Sequence, residues 1–185
     1  MHARIQGSLH ACAPLHHSPL AAARLRVHLC GDADEWVRLG ARIHGGFGSF
    51  IPVGIRLGED AMKRLEAKPR ELSVVYHSGE GIPYPCSVDG VMLAVSASPG
   101  QGSVQVASEK SPPGTFAVVI IRPRKGGDGL KYIVPMSVMP KLGEINRTLS
   151  DPLARYDAVM ALADLFTVEP IRWVRYALSC GAPGT

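Results

Sequence analysis

The spacing of apolar residues along the chain predicts four helices. Apolar side chains recur three and four positions apart in segments that begin at Asp32, Pro52, Ser87 and Asp151. Acidic residues favour the first helix start, proline suits the first turn of the second and fourth, and Ser87 is the expected cap of the third. We expect the first, second and fourth helices to end near residues 43, 66 and 166.

Short runs rich in β-branched residues predict four strands, at 71–77, 103–108, 115–121 and 130–134. Tight Gly/Pro turns separate the last three, and such turns are shorter than the crossover of about a dozen residues that parallel pairing requires. These three runs are therefore expected to form an antiparallel meander. Because the strands cluster, we predict a single α+β domain with an antiparallel or mixed sheet packed with several helices. The run at 171–178 fits either a helix or a strand.

Composition and charge narrow the class of protein. The chain has 185 residues, of which 46% are hydrophobic, enough for one domain with its own core. No apolar run reaches the roughly 20 residues of a membrane-spanning helix, so we expect no membrane association. Residues 1–31 carry three arginines and no acid, and they account for most of the net charge of +4. The remainder is nearly neutral, which argues against a nucleic-acid partner.

The first 31 residues also differ from the rest in composition. They hold five of the seven histidines and two of the four cysteines, but their spacing matches no zinc motif. They lack apolar periodicity and the continuous apolar stretch of a secretory signal. We therefore expect a flexible extension at 1–31, a folded domain at 32–185 and a cytoplasmic protein whose cysteines do not form a disulfide framework.

Two loops carry side chains suited to chemistry. One begins at His44 and continues with Gly45 to Ser49, and the other leads through Pro85 to Cys86. A neutral histidine and a cysteine thiolate bind zinc and other divalent metals, and a helix N-terminus favours the thiolate. We expect the side chains of His44 and Cys86 to lie within about 8 Å of each other, and a shared metal would bring their donor atoms closer.

Other roles, both chemical and structural, are open for the same residues. A third metal ligand would have to come from His77, Glu80 or Asp89. Cys86 could equally act as a nucleophile with His44 as its base, as in Cys-His hydrolases. In structural terms, His44 would end a helix, Cys86 would be a small buried apolar residue, and Asp89 would be a first-turn acid.

Two sequence blocks resemble those of the formylmethanofuran dehydrogenase E-subunit family (FmdE). His44-Gly45, followed by Gly54-x-Arg56, resembles the family's His-Gly-His-x-Cys-Pro-Gly and Gly-x-Arg. The block from Cys86 through Val88-Asp89-Gly90, followed by Ser98-x-Gly100, resembles its Cys-x-Val-Asp-Ala-Ile-Gln and Gly-Cys-Thr-x-Gly. The resemblance covers approximately residues 33–135.

This resemblance implies an α+β protein that binds a metal, often zinc, and is linked to one-carbon metabolism through a molybdenum or tungsten dehydrogenase. Several of the family's motif positions differ in this chain. Gly46, Gly48, Ser49 and Ala97 replace the second His, the first Cys, the Pro and the Cys of Gly-Cys-Thr. The C-terminal Cys-x2-Cys module is also missing, and a lone Cys180 remains.

The sequence therefore predicts a divergent family member that binds a metal ion or small ligand in one pocket. The predicted pocket residues are His44, Gly45, Arg56, Cys86 and Asp89, with His44 and Cys86 as the metal ligands. An enzyme that uses Cys86 as a nucleophile or His44 as an acid/base is one alternative, and a metal-free accessory subunit is another. The expected partners are a second copy of the chain or the dehydrogenase complex.

Overall fold

The structure, a computed structural model, describes residues 32–172, which form five α-helices and one five-stranded mixed sheet. This arrangement confirms the predicted α+β class. The helices are α1 (Ala33–His44), α2 (Phe50–Arg64), α3 (Cys86–Val95), α4 (Met139–Thr148) and α5 (Pro152–Met160). The strands are β1 (Leu72–Ser78), β2 (Val104–Val106), β3 (Thr115–Pro123), β4 (Gly129–Pro135) and β5 (Thr167–Ile171).

The sheet has the order β2-β1-β3-β4-β5. β3 and β4 pair antiparallel as predicted, and β3 also pairs antiparallel with β1. The prediction that β2 joins this meander was wrong, because β2 lies on the other side of β1 and runs parallel to it, with Val74 opposite Val104. α3 lies between β1 and β2 in the chain, and it supplies the long crossover that parallel pairing needs.

Polar caps fix the starts of two predicted helices. The Asp32 carboxylate accepts a hydrogen bond from the Glu35 amide at 2.8 Å, and the Asp151 carboxylate accepts one from Ala154 at 2.9 Å. The helix from Asp151 is shorter than predicted and ends at Met160. The following segment contains a left-handed residue, Asp164 (φ +51°), and then becomes the edge strand β5, which the sequence pattern did not predict.

The predicted cap of α3 was also wrong. α3 begins at Cys86, so Ser87 lies inside its first turn and makes no capping bond. The Ser87 side chain is instead fully buried, and its hydroxyl lies 2.6 Å from the hydroxyl of Tyr76 on β1. Because a buried hydroxyl needs a partner, this pair ties the start of α3 to the sheet.

α2 and α3 cross in direct backbone contact. A Cβ atom at Gly54 would lie 1.8 Å from the carbonyl oxygen of Ser87, and one at Gly90 would lie 2.0 Å from that of Ile51. No side chain fits at either position, so the two glycines set how closely the helices approach. The main apolar core lies between this helix pair and the sheet and includes Val53, Leu57, Val91, Tyr76 and Phe116.

Two sequence predictions fall wholly or mostly outside the described residues: the flexible extension at 1–31 and the element at 171–178. They stay predictions. In the part of the chain that the structure describes, no helix is both long and apolar enough to cross a bilayer.

Candidate functional site

Cys86 lies in the wall of a pocket of about 270 Å³ at the start of α3. The Cys86 side chain is half-buried. The other lining residues are apolar or aromatic, and they come from α2, the 82–85 loop, β3 and α4: Phe50, Ile82, Pro83, Tyr84, Phe116 and Met139. Cys86 therefore places a thiol in an otherwise apolar lining.

Aromatic rings shape both the wall and the mouth of this pocket. Phe50 and Phe116 stack with their ring centroids 5.6 Å apart and their planes 18° from parallel. Tyr84 is 73% exposed, so its ring stands in solvent at the pocket mouth. Rings in these positions offer flat apolar surface to a ligand.

The Cys86 thiol is protonated in this environment. Burial raises the pKa of the thiol, and the nearby Asp89 carboxylate raises it further, although a backbone hydrogen bond acts in the opposite direction. We expected the start of the helix to favour the thiolate, but the loss of hydration outweighs that contribution. A thiol is a weaker nucleophile and metal ligand than a thiolate.

His44 is fixed at the end of α1. Its Nδ1 atom lies 2.7 Å from Oδ2 of Asp89, and the two side chains are 31% and 25% exposed. Gly45 follows in the left-handed conformation (φ +83°), and its amide donates to the carbonyl of Ala41, which ends the helix. The bond to Asp89 orients the imidazole ring and leaves Nε2 as the nitrogen for another partner.

The loop that follows His44 is anchored on α4. The Ser49 amide donates to the Asn146 side chain at 2.8 Å, and the buried Ser49 hydroxyl donates to the Leu142 carbonyl at 2.8 Å. A Cβ atom at Gly48 would lie 3.4 Å from the same Asn146 side chain. These bonds fix the loop on α4, and the loop in turn places Phe50 at the pocket.

The structure relates His44 to Cys86 through Asp89. Asp89 lies one helical turn after Cys86 on α3, and residues at this spacing are neighbours on a helix surface. His44 therefore contacts the same end of α3 as the pocket, although His44 is not among the lining residues. The expected separation of about 8 Å between the His44 and Cys86 side chains stays a prediction.

Arg56 stabilises the C-terminal end of α5. Its guanidinium donates to the carbonyls of Leu162 and Val159, just beyond and within the last turn of α5, and stacks 5.7 Å from the ring centroid of Phe166. The guanidinium thus binds carbonyl groups at a helix end, of which the Val159 carbonyl also accepts a hydrogen bond from the Leu162 amide. The structure thus shows Arg56 joined to α5, whereas His44 and Asp89 are joined to each other.

The described part of the chain does not form a metal site by itself. Among residues 32–172, no group of three or more His, Cys, Asp or Glu side chains is arranged to hold a metal ion. His77, a candidate third ligand, has its Nδ1 atom 3.1 Å from the carbonyl oxygen of Glu109. Zinc in proteins generally takes three or four protein ligands, which this part of the chain does not bring together.

Sequence reasoning missed the apolar lining of the pocket. Phe50, Phe116 and Met139 lie far apart in the sequence, and α4, which carries Met139, was not among the predicted helices. The available signal was the loop Ile82-Pro83-Tyr84-Pro85, where two large apolar residues flank prolines immediately before Cys86.

Comparisons with known proteins agree with this fold. The model of the family FmdE, described as "molybdenum formylmethanofuran dehydrogenase operon", matches residues 43–162. A crystal structure of a tungsten formylmethanofuran dehydrogenase FmdE-like protein from Syntrophus aciditrophicus has a TM-score of 0.51 and 18% identity. The match covers 83% of this chain and 79% of that one. No curated protein matches the sequence.

Proposed function

The chain belongs to the FmdE family, and from this premise we propose that it binds a small, mainly apolar organic molecule in the pocket beside Cys86. The observation that carries the proposal is the lining of that pocket. Four elements of the fold bring apolar and aromatic side chains together around a single thiol. Ligand pockets typically combine an apolar lining with a few polar groups in this way.

The size of the pocket limits the ligand. Pockets for drug-sized molecules span about 300–1,000 Å³, whereas this one is about 270 Å³. It suits a molecule on the scale of two or three rings. The exposed ring of Tyr84 at the mouth would stack on the part of the ligand that remains outside.

An organic ligand agrees better with these residues than a metal ion does. The raised pKa keeps the Cys86 thiol neutral, and metal binding would require it to lose its proton. A metal at His44 and Cys86 would need further ligands that residues 32–172 do not group around them.

Fluorescence of N-phenyl-1-naphthylamine, a neutral apolar probe, tests the proposal. We expect the probe to bind, to slow modification of Cys86 by N-ethylmaleimide, and to bind severalfold more weakly to Tyr84→Ala. Val106→Ala removes another exposed apolar side chain, at 48% exposure, and serves as the matched control. Equal binding to all three proteins, with no protection of Cys86 in peptide maps, would show that this pocket is not the site.

Elemental analysis of protein purified without a His-tag tests the metal alternative. Zinc or another divalent metal in stoichiometric amount would indicate that the site binds a metal and not an organic molecule, if the metal is lost in His44→Ala and Cys86→Ala but kept in Cys180→Ala. We expect no such pattern for the reasons given above.

A second candidate function is acid/base chemistry at His44. The contact that favours it is the 2.7 Å pairing of Nδ1 with Asp89, because a carboxylate that orients an imidazole prepares its other nitrogen to accept or give a proton. Asp89→Asn would remove this charge while keeping the shape. Any turnover found for the protein should then fall and shift its pH profile, whereas binding of the neutral probe should not change.

The family description supports a proposed link to one-carbon metabolism through a formylmethanofuran dehydrogenase operon. In that context the chain would act as an accessory subunit or as a ligand carrier for the dehydrogenase. Copurification of a tagged dehydrogenase catalytic subunit with this chain would test the association.

A further inference from the structure

A second cleft, of about 360 Å³, opens at the opposite end of the fold. It lies where α2 ends, β1 begins and β3 ends. α2 rises about 1.5 Å per residue, so Leu65 at this cleft lies about 22 Å along the helix axis from Phe50 at the Cys86 pocket. The two cavities are therefore separate sites.

Three cations and two carboxylates surround an apolar floor in this cleft. The floor consists of Leu65, Ala67 and Pro123. The charged residues are Glu66, Arg70, Glu71, Arg124 and Lys125. One Glu71 oxygen is already occupied, because it accepts a hydrogen bond from the Lys68 amide at 2.9 Å.

The contacts of the two arginines fix them to different degrees. The Arg124 guanidinium donates to the Gln101 carbonyl at 3.0 Å, and the Arg124 amide donates to the Glu71 carbonyl at 2.8 Å. For Arg70 it is the backbone that is anchored, because its amide donates to the Val95 carbonyl at 2.8 Å, which attaches the cleft wall to the end of α3. A guanidinium held like that of Arg124 loses less freedom when it binds an anion.

The turn that carries Arg70 is strained. Glu66 and Arg70 have φ values of +49° and +74°, in the left-handed region where glycine is favoured and other residues incur a cost. Such strain concentrates at ligand-binding segments, where a side chain at a demanding position has a use. The turn therefore places the Arg70 guanidinium at the cleft, although glycine would be more stable at this backbone position.

From these features we infer that the cleft binds a phosphate monoester of a small organic molecule. Arg70, Arg124 and Lys125 provide charge-assisted hydrogen bonds to the phosphate. The apolar floor packs against the organic part. A nucleic acid is the wrong class of partner, because three cations supply few of the phosphate contacts that its affinity requires.

Calorimetric titration of the full chain with phenyl phosphate and with inorganic phosphate, at low salt, tests this inference. We expect phenyl phosphate to bind more tightly than phosphate, since only the ester contacts the floor. Arg70→Gly and Arg124→Gln should each weaken phenyl phosphate binding about tenfold, as loss of one charge-assisted hydrogen bond does. Glu66→Gln should strengthen it by removing a repulsive charge.

The control variant is Lys110→Gln, which removes one positive charge near Ser111, at the other end of β1. It should bind phenyl phosphate like the unchanged protein. Arg70→Gly should also keep or raise the melting temperature, since glycine relieves the left-handed strain, so its weaker binding would not reflect unfolding. None of the cleft variants should alter binding of N-phenyl-1-naphthylamine, which separates this site from the Cys86 pocket.

Three results would overturn the inference. One is the absence of heat with phenyl phosphate at 10 mM ligand, a concentration well above the roughly millimolar dissociation constant that a few exposed contacts give. Another is equal weakening by Lys110→Gln, which would show diffuse surface attraction. The third is tighter binding of a duplex oligonucleotide with the same dependence on Arg70 and Arg124, which would change the ligand class.

Discussion

Replacing Gly54 by alanine tests whether the α2/α3 crossing holds the fold together. The added Cβ atom would lie 1.8 Å from the Ser87 carbonyl oxygen and 2.7 Å from the Val91 amide nitrogen. Both are backbone atoms inside a helix, so no rotamer change relieves the contact. Reaching an ordinary separation of 3.4 Å requires a displacement of 3.4 − 1.8 = 1.6 Å between the helices.

The cost of this displacement follows from two opposing effects. Overpacking of a core costs about 1–3 kcal/mol and sometimes more, and a gap of 0.5–1 Å already removes a quarter to a half of the dispersion attraction between atoms. Alanine recovers about 1 kcal/mol because it is the better helix former. Since the shift of 1.6 Å affects two helices in direct backbone contact, the overpacking cost should lie at the upper end of that range, and we expect a net loss of about 2 kcal/mol. A loss of that size is a large part of the stability of a typical domain, about 5–15 kcal/mol.

Urea unfolding monitored by far-ultraviolet circular dichroism measures this loss, and the chain provides a matched control. Gly143 also lies inside a helix, α4, but it is exposed and a Cβ atom there meets nothing within 4 Å. Gly143→Ala should therefore gain about 0.5–1 kcal/mol through helix propensity alone. The same substitution should change the free energy of unfolding in opposite directions at the two positions.

A Gly54→Ala protein as stable as the unchanged protein would contradict this expectation. Such a result would mean that α2 and α3 do not approach as closely as the structure shows. Because this crossing also places Phe50 and Cys86 around the pocket, a folded Gly54→Ala protein should bind N-phenyl-1-naphthylamine more weakly than Gly143→Ala does.

Four other predictions concern stability and reactivity. Tyr76→Phe should cost about 1–3 kcal/mol by leaving the buried Ser87 hydroxyl without a partner, and adding Ser87→Ala should recover most of that loss in urea unfolding. Cys86 should react with N-ethylmaleimide more slowly than glutathione does at pH 7.5, because burial raises the pKa of the Cys86 thiol. The rate should rise with pH, and a rate equal to that of glutathione would contradict the burial of this side chain. Burial also raises the pKa of Glu59, so the contribution of its protonated form to stability is present at low pH and is lost as pH rises through that pKa. The free energy of unfolding of Glu59→Gln, compared with that of the unchanged protein, should therefore be more favourable at pH 7 than at pH 4. Deleting residues 1–30 should leave the melting temperature nearly unchanged, and a drop of more than a few degrees would show that the segment docks on the fold.

Local signals explain which elements the sequence could predict. Asp32 and Asp151 mark helix starts because their carboxylates bond amides three residues away, an interaction confined to one turn. The pairing of β3 with β4 follows similarly from a short turn that permits only antiparallel strands. Such features depend on neighbouring residues, and these predictions were confirmed.

The wrong or missing predictions concern elements whose placement depends on residues far apart in the sequence. Ser87 is a residue type that often caps helices. Its hydroxyl instead pairs with the hydroxyl of Tyr76 on β1, and because this pair is buried, its loss would cost more free energy than the loss of an exposed cap. β2 lies beside β1 because α3, which connects the two strands in the chain, supplies the long crossover of a parallel pair, a tertiary arrangement that the run 103–108 does not reveal. α4 was not predicted although Met139, Leu142 and Ile145 repeat three residues apart, and the place of this helix is fixed by contacts such as that between Leu142 and Ser49.

The candidate site was predicted only in part for the same reason. Cys86, His44 and Asp89 could be selected by residue type, and the structure joins two of them directly. Phe50 and Phe116 could not, because their rings meet only through the packing of α2 on β3. An apolar pocket has no distinctive residue type, so it becomes visible only in the folded chain.

The residues that the family resemblance singles out have different roles in the structure. Gly54 allows the helix crossing, Arg56 holds the end of α5, and Gly45 ends α1, so these positions maintain the fold. Cys86 instead lies in the wall of an apolar pocket, where burial raises the pKa of its thiol. The burial of Cys86, rather than its presence in a motif, therefore determines what the pocket can bind.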